Sequence, residues 1–466
     1  MSSPASKIAP RFLEVIEKAG GHVYEVGGSV RDRLLGIPKK DLDLLVTHLA
    51  IKDLTTLLRP LGEIFLVGKS FGVIKFHPKE GGEIDIALPR KEVSTGEGHR
   101  DFDVHFDPLL PVEIDLSRRD FTVNAMAQEL STGRMIDPFG GQTDLRDKKL
   151  RMVSQQAFLE DPLRMLRGIQ FAARFHLEIE PDTFASMKEH AEKIKTVSSE
   201  RITEEIKKLL SAEQPSQGFI LMEKAGLLGY VFPELQATVG VEQGNKFRND
   251  DVFMHTMRVL DASRKDNAIP NAGDMELMLA ALYHDVGKPK TKRFDPEKNR
   301  LTFYGHQILS KRMVRKRIQA LKMTTLGIDS DRVEKLVEEH MFQAKSFFSD
   351  RAIRRFINKI GPDLILKLVD LRLADNRGGR YPEGIRGVLR LREKIEHEIN
   401  NKSPFSVKDL AIRGTDLMSI GLREGPQMGL MLKELVEVVL DEPEKNTPEI
   451  LLEIARTKLS TPQDIP

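Results

Sequence analysis

The stretch EVGGSVRDRLLGIPKKDLDLLVT, Glu25 to Thr47, constrains the fold more than any other part of the chain. A strand-like run, His22–Val26, meets Gly27-Gly28-Ser29, which opens a helix-like segment carrying Arg31. Asp41-Leu42-Asp43 then falls inside a second apolar run. On a strand, residues i and i+2 share a face and lie roughly 6.6 Å apart. Asp41 and Asp43 therefore aim together, flanked by Leu42, Leu44, Leu45 and Val46. Buried side by side without compensation, two carboxylates lose several kcal/mol to repulsion and desolvation. A divalent cation removes that penalty, and carboxylate oxygens suit Mg²⁺. Alone, Asp-x-Asp also fits two solvated carboxylates at a strand end, and Gly-Gly fits an ordinary turn. Their spacing makes the pair more specific. Gly27 and Gly28 let a ligand approach the backbone, the helix start offers free N–H groups, and Arg31 offers a cation to a phosphate. Phosphates beside a carboxylate-held metal is the arrangement of phosphoryl and nucleotidyl transfer.

Strand-like runs at His22–Val26, Leu42–Val46, Glu63–Val67, Gly72–Phe76 and Glu83–Leu88, with a helix at Ile51–Leu58, predict a mixed α/β unit. Asp85 lies on one of these strands with Glu83 on the same face, so either could supply a third carboxylate. A polar loop is expected from Thr95 to Asp103, and a short hairpin within DPFGGQTDLRDKKLR. From Glu160 onward the pattern is helical. In SSERITEEIKKLL the apolar positions 202, 206, 209 and 210 share a face, with Ser199 as the expected N-cap. Residues 212–218 and 232–251 read as connectors, and a further boundary falls near 399–410. At 466 residues the chain is too long for one core. The pattern divides it into a head (1–150), a helical neck (151–240), a second helical domain (241–398) and a helical tail (399–466).

The chain contains no Cys, which excludes disulfides and thiolate metal sites. No apolar run reaches the roughly 18 residues of a membrane span, and no signal layout opens the sequence. A cytoplasmic protein is the expectation; oligomeric state is left open. With a net charge of +2, the case for nucleic-acid binding rests on local basic segments: 311–322, 350–361 and 377–394.

GGSVRD, KDLDLLV, RRDFTVNAMA, DPFGG, EDPLRMLR and SERITEEIKKLL occur in that order. Over about residues 20–235 the chain resembles class II CCA-adding tRNA nucleotidyltransferases and bacterial poly(A) polymerases, of the polymerase-β-like nucleotidyltransferase superfamily. The resemblance implies an α+β fold, a mixed-sheet head followed by all-α segments. It implies Mg²⁺ on Asp41 and Asp43, with Asp85 as the third acid. Gly27, Gly28, Ser29 and Arg31 would form the nucleotide-contacting turn. Arg118, Arg119, Asp120 and Asn124 would hold sugar and phosphates. In EDPLRMLR, Asp161, Arg164 and Arg167 recur at i, i+3 and i+6, the spacing of one helix face. Cytosine and adenine both present an amino donor beside a ring-nitrogen acceptor, whereas uracil and guanine present the reverse. A carboxylate beside a guanidinium accepts from the first pair and donates to its ring nitrogen. The resemblance assigns this part to Asp161 and Arg164, and Arg167 to the triphosphate. The implied substrates are CTP, ATP and the 3′ end of the tRNA acceptor arm. The implied reaction is CCA addition; CC-only or A-only addition and poly(A) synthesis are the near alternatives.

DVFMHTMRVL, ALYHDVGKP, FYGHQ, VEEHMF and LRLADNR form a second series, similar to the HD phosphohydrolases. His255, His284, Asp285 and Asp375 would be its metal ligands, with His306 and His340 as further ligands or phosphate contacts. Imidazoles with carboxylates suit Mn²⁺, Ni²⁺, Co²⁺ or Zn²⁺ better than Mg²⁺. An enzyme of another class is also compatible: an HD phosphohydrolase acting on 2′,3′-cyclic phosphates or 2′-nucleotides, with the front half as a nucleotide sensor.

Overall fold

The computed structural model describes residues 10–38, 42–67, 73–79, 81–94, 102–243, 251–343, 348–379, 382–401 and 403–460. The chain divides into two compact units, Met1–Pro233 and Glu234–Pro466. The expected boundaries at 150/151 and 398/399 lie inside these units.

The first unit opens with helix α1 (Pro10–Lys18), strand β1 (His22–Val26), α2 (Gly28–Leu34), β2 (Leu42–Thr47) and α3 (Ile51–Leu58). Then come β3 (Gly62–Val67), β4 (Val73–Pro78), β5 (Ile84–Ala87), β6 (Arg90–Ser94) and β7 (Phe102–Phe106). A seven-stranded sheet has the order β3-β4-β5-β2-β1-β8-β9, where β8 is Ala127–Glu129 and β9 is Met135–Ile136. β2 and β5 run parallel; the neighbouring pairs run antiparallel. Period-2 burial explains the two-sided packing. Leu44 and Val46 join Phe12, Ile16, Leu54 and Leu58 on one face, while Leu45 joins Tyr24, Val26 and Leu116 on the other. Each fully buried side chain of this size contributes roughly 2 kcal/mol. A strand so flanked has its register fixed, because a one-residue slip would expose both sets.

β6 and β7 form a separate hairpin, and Phe102 and Asp103 of the expected polar loop belong to β7. α4 is Val112–Ser117 and α5 is Gly141–Arg146. The hairpin expected within DPFGGQTDLRDKKLR is instead β8–β9, just upstream. That segment is occupied by α5, whose first N–H groups are taken by the Asp137 carboxylate. The unit continues with α6 (Ala157–Glu160), α7 (Leu163–Phe175), α8 (Pro181–His190) and α9 (Ser199–Leu210). Ser198, not Ser199, stands at the N-cap of α9, so Ser199 falls within the first turn. The expected connector 212–218 runs into a helix at Pro215–Lys224.

Among its described residues the second unit is mostly helical, with a hairpin pairing Arg293–Asp295 with Arg300–Thr302 and an isolated bridge between Glu242 and Asp251. Near its end, Leu417, Leu435, Leu440 and Leu451 anchor a separate apolar cluster. Among the described residues no helix is long and apolar enough to cross a membrane.

Candidate active site and metal centre

Gly27 has φ +67°, a left-handed conformation that favours glycine. A Cβ there would run into Arg119 Nη1, so the turn and this guanidinium fit only without a side chain. Gly27→Ala is expected to lose about 1 kcal/mol of stability and a larger share of nucleotide affinity, because Arg119 is displaced. Thermal melting beside CTP titration measures both. Ser29 ties the turn to β2: its hydroxyl lies 3.2 Å from Asp43 Oδ2, and its oxygen accepts the Asp43 N–H at 3.0 Å.

Asp41 lies outside the described residues. Asp43 stands in register with Asp85 across the parallel β2–β5 pair, placing the two carboxylates on one face of adjacent strands. Asp85 Oδ1 is shielded from water and has no hydrogen-bond partner among the described residues; Lys75 Nζ lies 3.6 Å away. Glu83, the rival third acid, precedes β5 and is paired with Lys75 and His77. An unspent buried carboxylate oxygen beside a second carboxylate fits a hard divalent cation.

Asp43, Gly28 and Arg31 line a cleft of about 640 Å³ shared with residues of α7 and α9 and with Arg118, Arg119, Asp120 and Asn124, which follow α4. Eight basic side chains against four carboxylates border it, a balance suited to a triphosphate. The basic groups are held by buried acids. Asp115, fully buried, accepts from Arg118 Nε at 3.0 Å and Arg119 Nη2 at 3.1 Å. Asp120 accepts from Arg167 Nε at 2.8 Å and Asn124 Nδ2 at 2.9 Å. Arg31 donates to Asn124 Oδ1 and Asp32 Oδ1 and lies over the rings of Phe175 and Phe171, 4.4 and 5.0 Å from their centroids. Asp120 and Asn124 thus frame the arginines.

Burial pushes both Asp115 and Asp120 up, but at Asp115 the Arg119 and Arg118 guanidiniums outweigh it. At Asp120, Arg167 and the Asn124 hydrogen bond do the same. Both carboxyls are therefore held below the usual range. Such a group contributes stability above its unfolded pKa, near 3.9, that is lost as pH falls through the folded value. The melting temperature is expected to fall below about pH 4, with a flatter acid limb in Asp120→Asn. A pH series of melting curves reads this.

Asp161 and Arg164 do not share a helix face. Pro162 sits at the start of α7, which leaves Asp161 in extended conformation just beyond α6. Arg164 donates to Glu160 Oε2 (2.7 Å), Arg118 O (2.8 Å) and Ala157 O (3.2 Å). The partner of Asp161 is Arg201 of α9, Nη2 to Oδ2 at 2.6 Å. Sequence reasoning passed over Asp115 and Arg201. The i−3 and i−4 spacing of Asp115 from Arg118 and Arg119 could have found the first.

In the second unit, His255, His284 and Asp375 come together, as do Asp285, His306 and His340. Nδ1 of His284, His306 and His340 each lies 2.7 Å from a backbone carbonyl, of Ala281, Phe303 and Val337. A carbonyl only accepts, so Nδ1 carries a proton in each of these three rings and Nε2 is turned toward the cluster. The Nε2 atoms face one another: His284 to His255 at 3.3 Å, His306 to His340 at 3.4 Å. Asp285 reaches both sets, Oδ2 lying 3.1 Å from His284 Nε2 and Oδ1 3.3 Å from His306 Nε2. Burial pushes His340 down to about 3, so it is neutral. Despite burial, His284 and Lys288 hold Asp285 well below the carboxylate range. Converging Nε2 atoms with ionised carboxylates fit divalent metal, with Nδ1–H bonds fixing the rings of His284, His306 and His340.

The basic segments are less available than their sequence implied. Arg315 pairs with Glu334, Arg317 with Glu234, Arg354 with Glu398 and Arg392 with Asp370.

Residues 23–151 match the poly A polymerase head domain, and 176–238 the RNA and SrmB binding region of polymerase A. Residues 252–377 match the HD domain and 390–455 tRNA nucleotidyltransferase domain 2. A head of this kind places the chain among nucleotidyltransferases. The multifunctional CCA protein of Mannheimia succiniciproducens is 35% identical over 76% of this chain and 84% of its own. The A-adding tRNA nucleotidyltransferase of Deinococcus radiodurans is 33% identical over 88% and 90%. The chain belongs to the CCA-adding tRNA nucleotidyltransferase family, in a form that carries an HD domain. In fold it is similar to the Bacillus stearothermophilus CCA-adding enzyme in complex with CTP, with a TM-score of 0.68 at 22% identity over 97% of this chain and 99% of that one. The Thermotoga maritima enzyme complexed with tRNA gives 0.59 at 23% identity, over 98% and 97%.

Proposed function

We propose that this enzyme completes the 3′ end of tRNA, adding C, C and A in turn from CTP and ATP. The observation that carries this reading is the in-register pair Asp43 and Asp85 beside a cleft lined by arginines. Asp43 and Asp85, with Asp41 from the family resemblance, are the residues to hold Mg²⁺, which when bound polarises the phosphate and lowers the pKa of the attacking hydroxyl. Arg31, Arg119 and Arg167 bind the triphosphate, already oriented by Asn124, Asp115 and Asp120. The tRNA 3′-oxygen bonds to the α-phosphorus as the bond to the β-phosphate oxygen breaks. Pyrophosphate leaves, and Asp85 is placed to take the hydroxyl proton. Asp161 beside a guanidinium accepts the amino group shared by cytosine and adenine. A site left with unpaired polar groups by uracil or guanine can reject them by factors of order 10⁴.

Transcripts ending at the discriminator base, at -C and at -CC, offered CTP and ATP singly and together, test this. Ordered C, C, A addition is expected. One specific observation favours a second reading: the relative matched over 88% of this chain is named A-adding. Extension of the -CC transcript alone would establish that reading instead.

The HD cluster supports a metal-dependent phosphohydrolase as a second activity. Its imidazoles and carboxylates would hold Mn²⁺, Ni²⁺ or Co²⁺, which supplies an activated water when bound. Hydrolysis of 2′,3′-cyclic phosphates or 2′-nucleotides is the assay.

A further inference from the structure

Asp285 and His306, both members of the HD cluster, are joined by a hairpin that the proposed hydrolysis does not use. The chain leaves Asp285 through Gly287 and Lys288–Thr291, then pairs Arg293–Asp295 with Arg300–Thr302. It returns through Phe303, Tyr304 and Gly305 to His306. The two roots of this excursion are pressed together. A Cβ on Gly287 would run into the His306 carbonyl oxygen, so the chain closes there only with glycine. The hairpin is therefore seated on the cluster.

Within it, Lys298 is fixed by Asp295, Nζ to Oδ2 at 3.1 Å and N–H to Oδ1 at 3.1 Å. Lys298 Nζ in turn donates to the Tyr304 hydroxyl at 2.8 Å and lies 5.3 Å from the ring centre. The longer distance is nearly the shorter one plus the span from ring centre to hydroxyl oxygen. The ammonium thus stands off the tip of the ring and covers neither face. Tyr304 is 70% exposed, so the ring is held by its hydroxyl and left open to water. It stands two residues from His306, at most about 7 Å between Cα atoms, and the carbonyl of its neighbour Phe303 holds the His306 ring.

Other exposed apolar side chains also adjoin cluster histidines. Met254 precedes His255, Met341 follows His340, and Ile308 lies two residues beyond His306. Lys288 places a cation between hairpin and cluster, bonded to Asp285 Oδ2 at 2.6 Å and 5.5 Å from the Phe303 ring centre. From Lys288 to Arg300 the sequence carries six basic residues against two acidic ones. A phosphate by itself is served by cations and metal and needs no apolar surface. A nucleobase presents a π-face that stacks on an aromatic ring.

We propose that Tyr304 is a base-stacking platform of the HD site, so that the hairpin holds the base of a nucleoside 2′-phosphate or 2′,3′-cyclic phosphate while the cluster acts on its phosphate. The assignment rests on the phosphohydrolase reading and deepens it, with Lys298 positioning the ring.

The test uses the full-length protein loaded with Mn²⁺. It measures kcat and KM for 2′-AMP, and the inhibition constant of inorganic phosphate, in wild type, Tyr304→Ala, Tyr304→Phe and Phe294→Ala. Tyr304→Ala is expected to raise KM about tenfold, with kcat and the phosphate constant within about twofold of wild type. Tyr304→Phe keeps the ring and loses only the Lys298 bond, so most of the affinity should remain. Phe294→Ala removes another exposed aromatic of the same hairpin and should leave both constants unmoved. An equal weakening of 2′-AMP and phosphate in Tyr304→Ala would overturn the proposal, because it marks a disturbed cluster and not a lost base contact. So would an unchanged KM, or the same rise in Phe294→Ala. A second readout needs no turnover: 5-iodouridine 2′-phosphate, irradiated with the wild type, should attach at Tyr304, and attachment only elsewhere would contradict the platform. A wild type that cross-links there yet hydrolyses no 2′-nucleotide rejects the phosphohydrolase reading alone. Hydrolysis with KM unmoved in Tyr304→Ala rejects only the platform.

Discussion

Asp43→Ala is expected to lose nucleotide addition by about 10³-fold or more, roughly 4 kcal/mol of transition-state stabilisation, while HD-site hydrolysis stays at the wild-type rate. The size follows from what the carboxylate does. Asp43 is joined through Ser29 to the glycine turn and stands in register with Asp85, so no other described carboxylate can replace it on that face. That pair is built on β2 and β5 of the first unit and the histidine cluster within the second, which is why the two activities should separate. The fold should survive, because Asp43 is half-buried and the adjoining core residues, Leu44, Leu45 and Val46, are untouched. Single-turnover incorporation of labelled CMP, with cyclic-phosphate hydrolysis assayed on the same preparation, measures both arms. Retained CMP incorporation would remove Asp43 from the site.

Asp285→Ala is expected to produce the converse: loss of tight metal binding and at least 10²-fold loss of hydrolysis, with nucleotide addition intact. Among the described residues, Asp285 alone places an oxygen near each set of imidazoles, so its removal disables both. Metal bound to the folded chain and not to the unfolded one stabilises it. Added Mn²⁺ or Ni²⁺ should therefore raise the melting temperature of the wild type and leave that of Asp285→Ala unmoved. Isothermal titration with either metal gives the affinity directly. An unaltered metal affinity in the variant would show that the cluster is a hydrogen-bonded core and not a ligand set.

What the sequence disclosed follows from the range of each signal. His22–Val26 and Ile51–Leu58 take up the limits their local pattern predicts, because burial of alternating or helical positions is decided within a few residues. That the side chains of the HD series cluster was legible for the same reason: each sits in a short motif, and His306 and His340 also join the groups. The acid partners of the arginines were harder to read. Asp115 and Asp120 act through side-chain pairs that no periodicity encodes. The misreading at Asp161 has one cause. Pro162 starts α7, so helical spacing could not be counted from Asp161, and the true partner lies forty residues on, brought in by the packing of α9. Basic runs at 311–322 and 350–361 suggested an open nucleic-acid surface, yet several of their arginines answer acids that lie far along the chain.

The most direct test of the central claim, a triphosphate-linked metal held between β2 and β5, is to replace Mg²⁺ by Fe²⁺ with ascorbate and peroxide and map where the backbone is cut. CTP-dependent scission near residues 43 and 85, suppressed by excess Mg²⁺ and absent in Asp43→Ala, is the predicted result. Cutting that ignores CTP, or that falls only around the HD histidines, would contradict it.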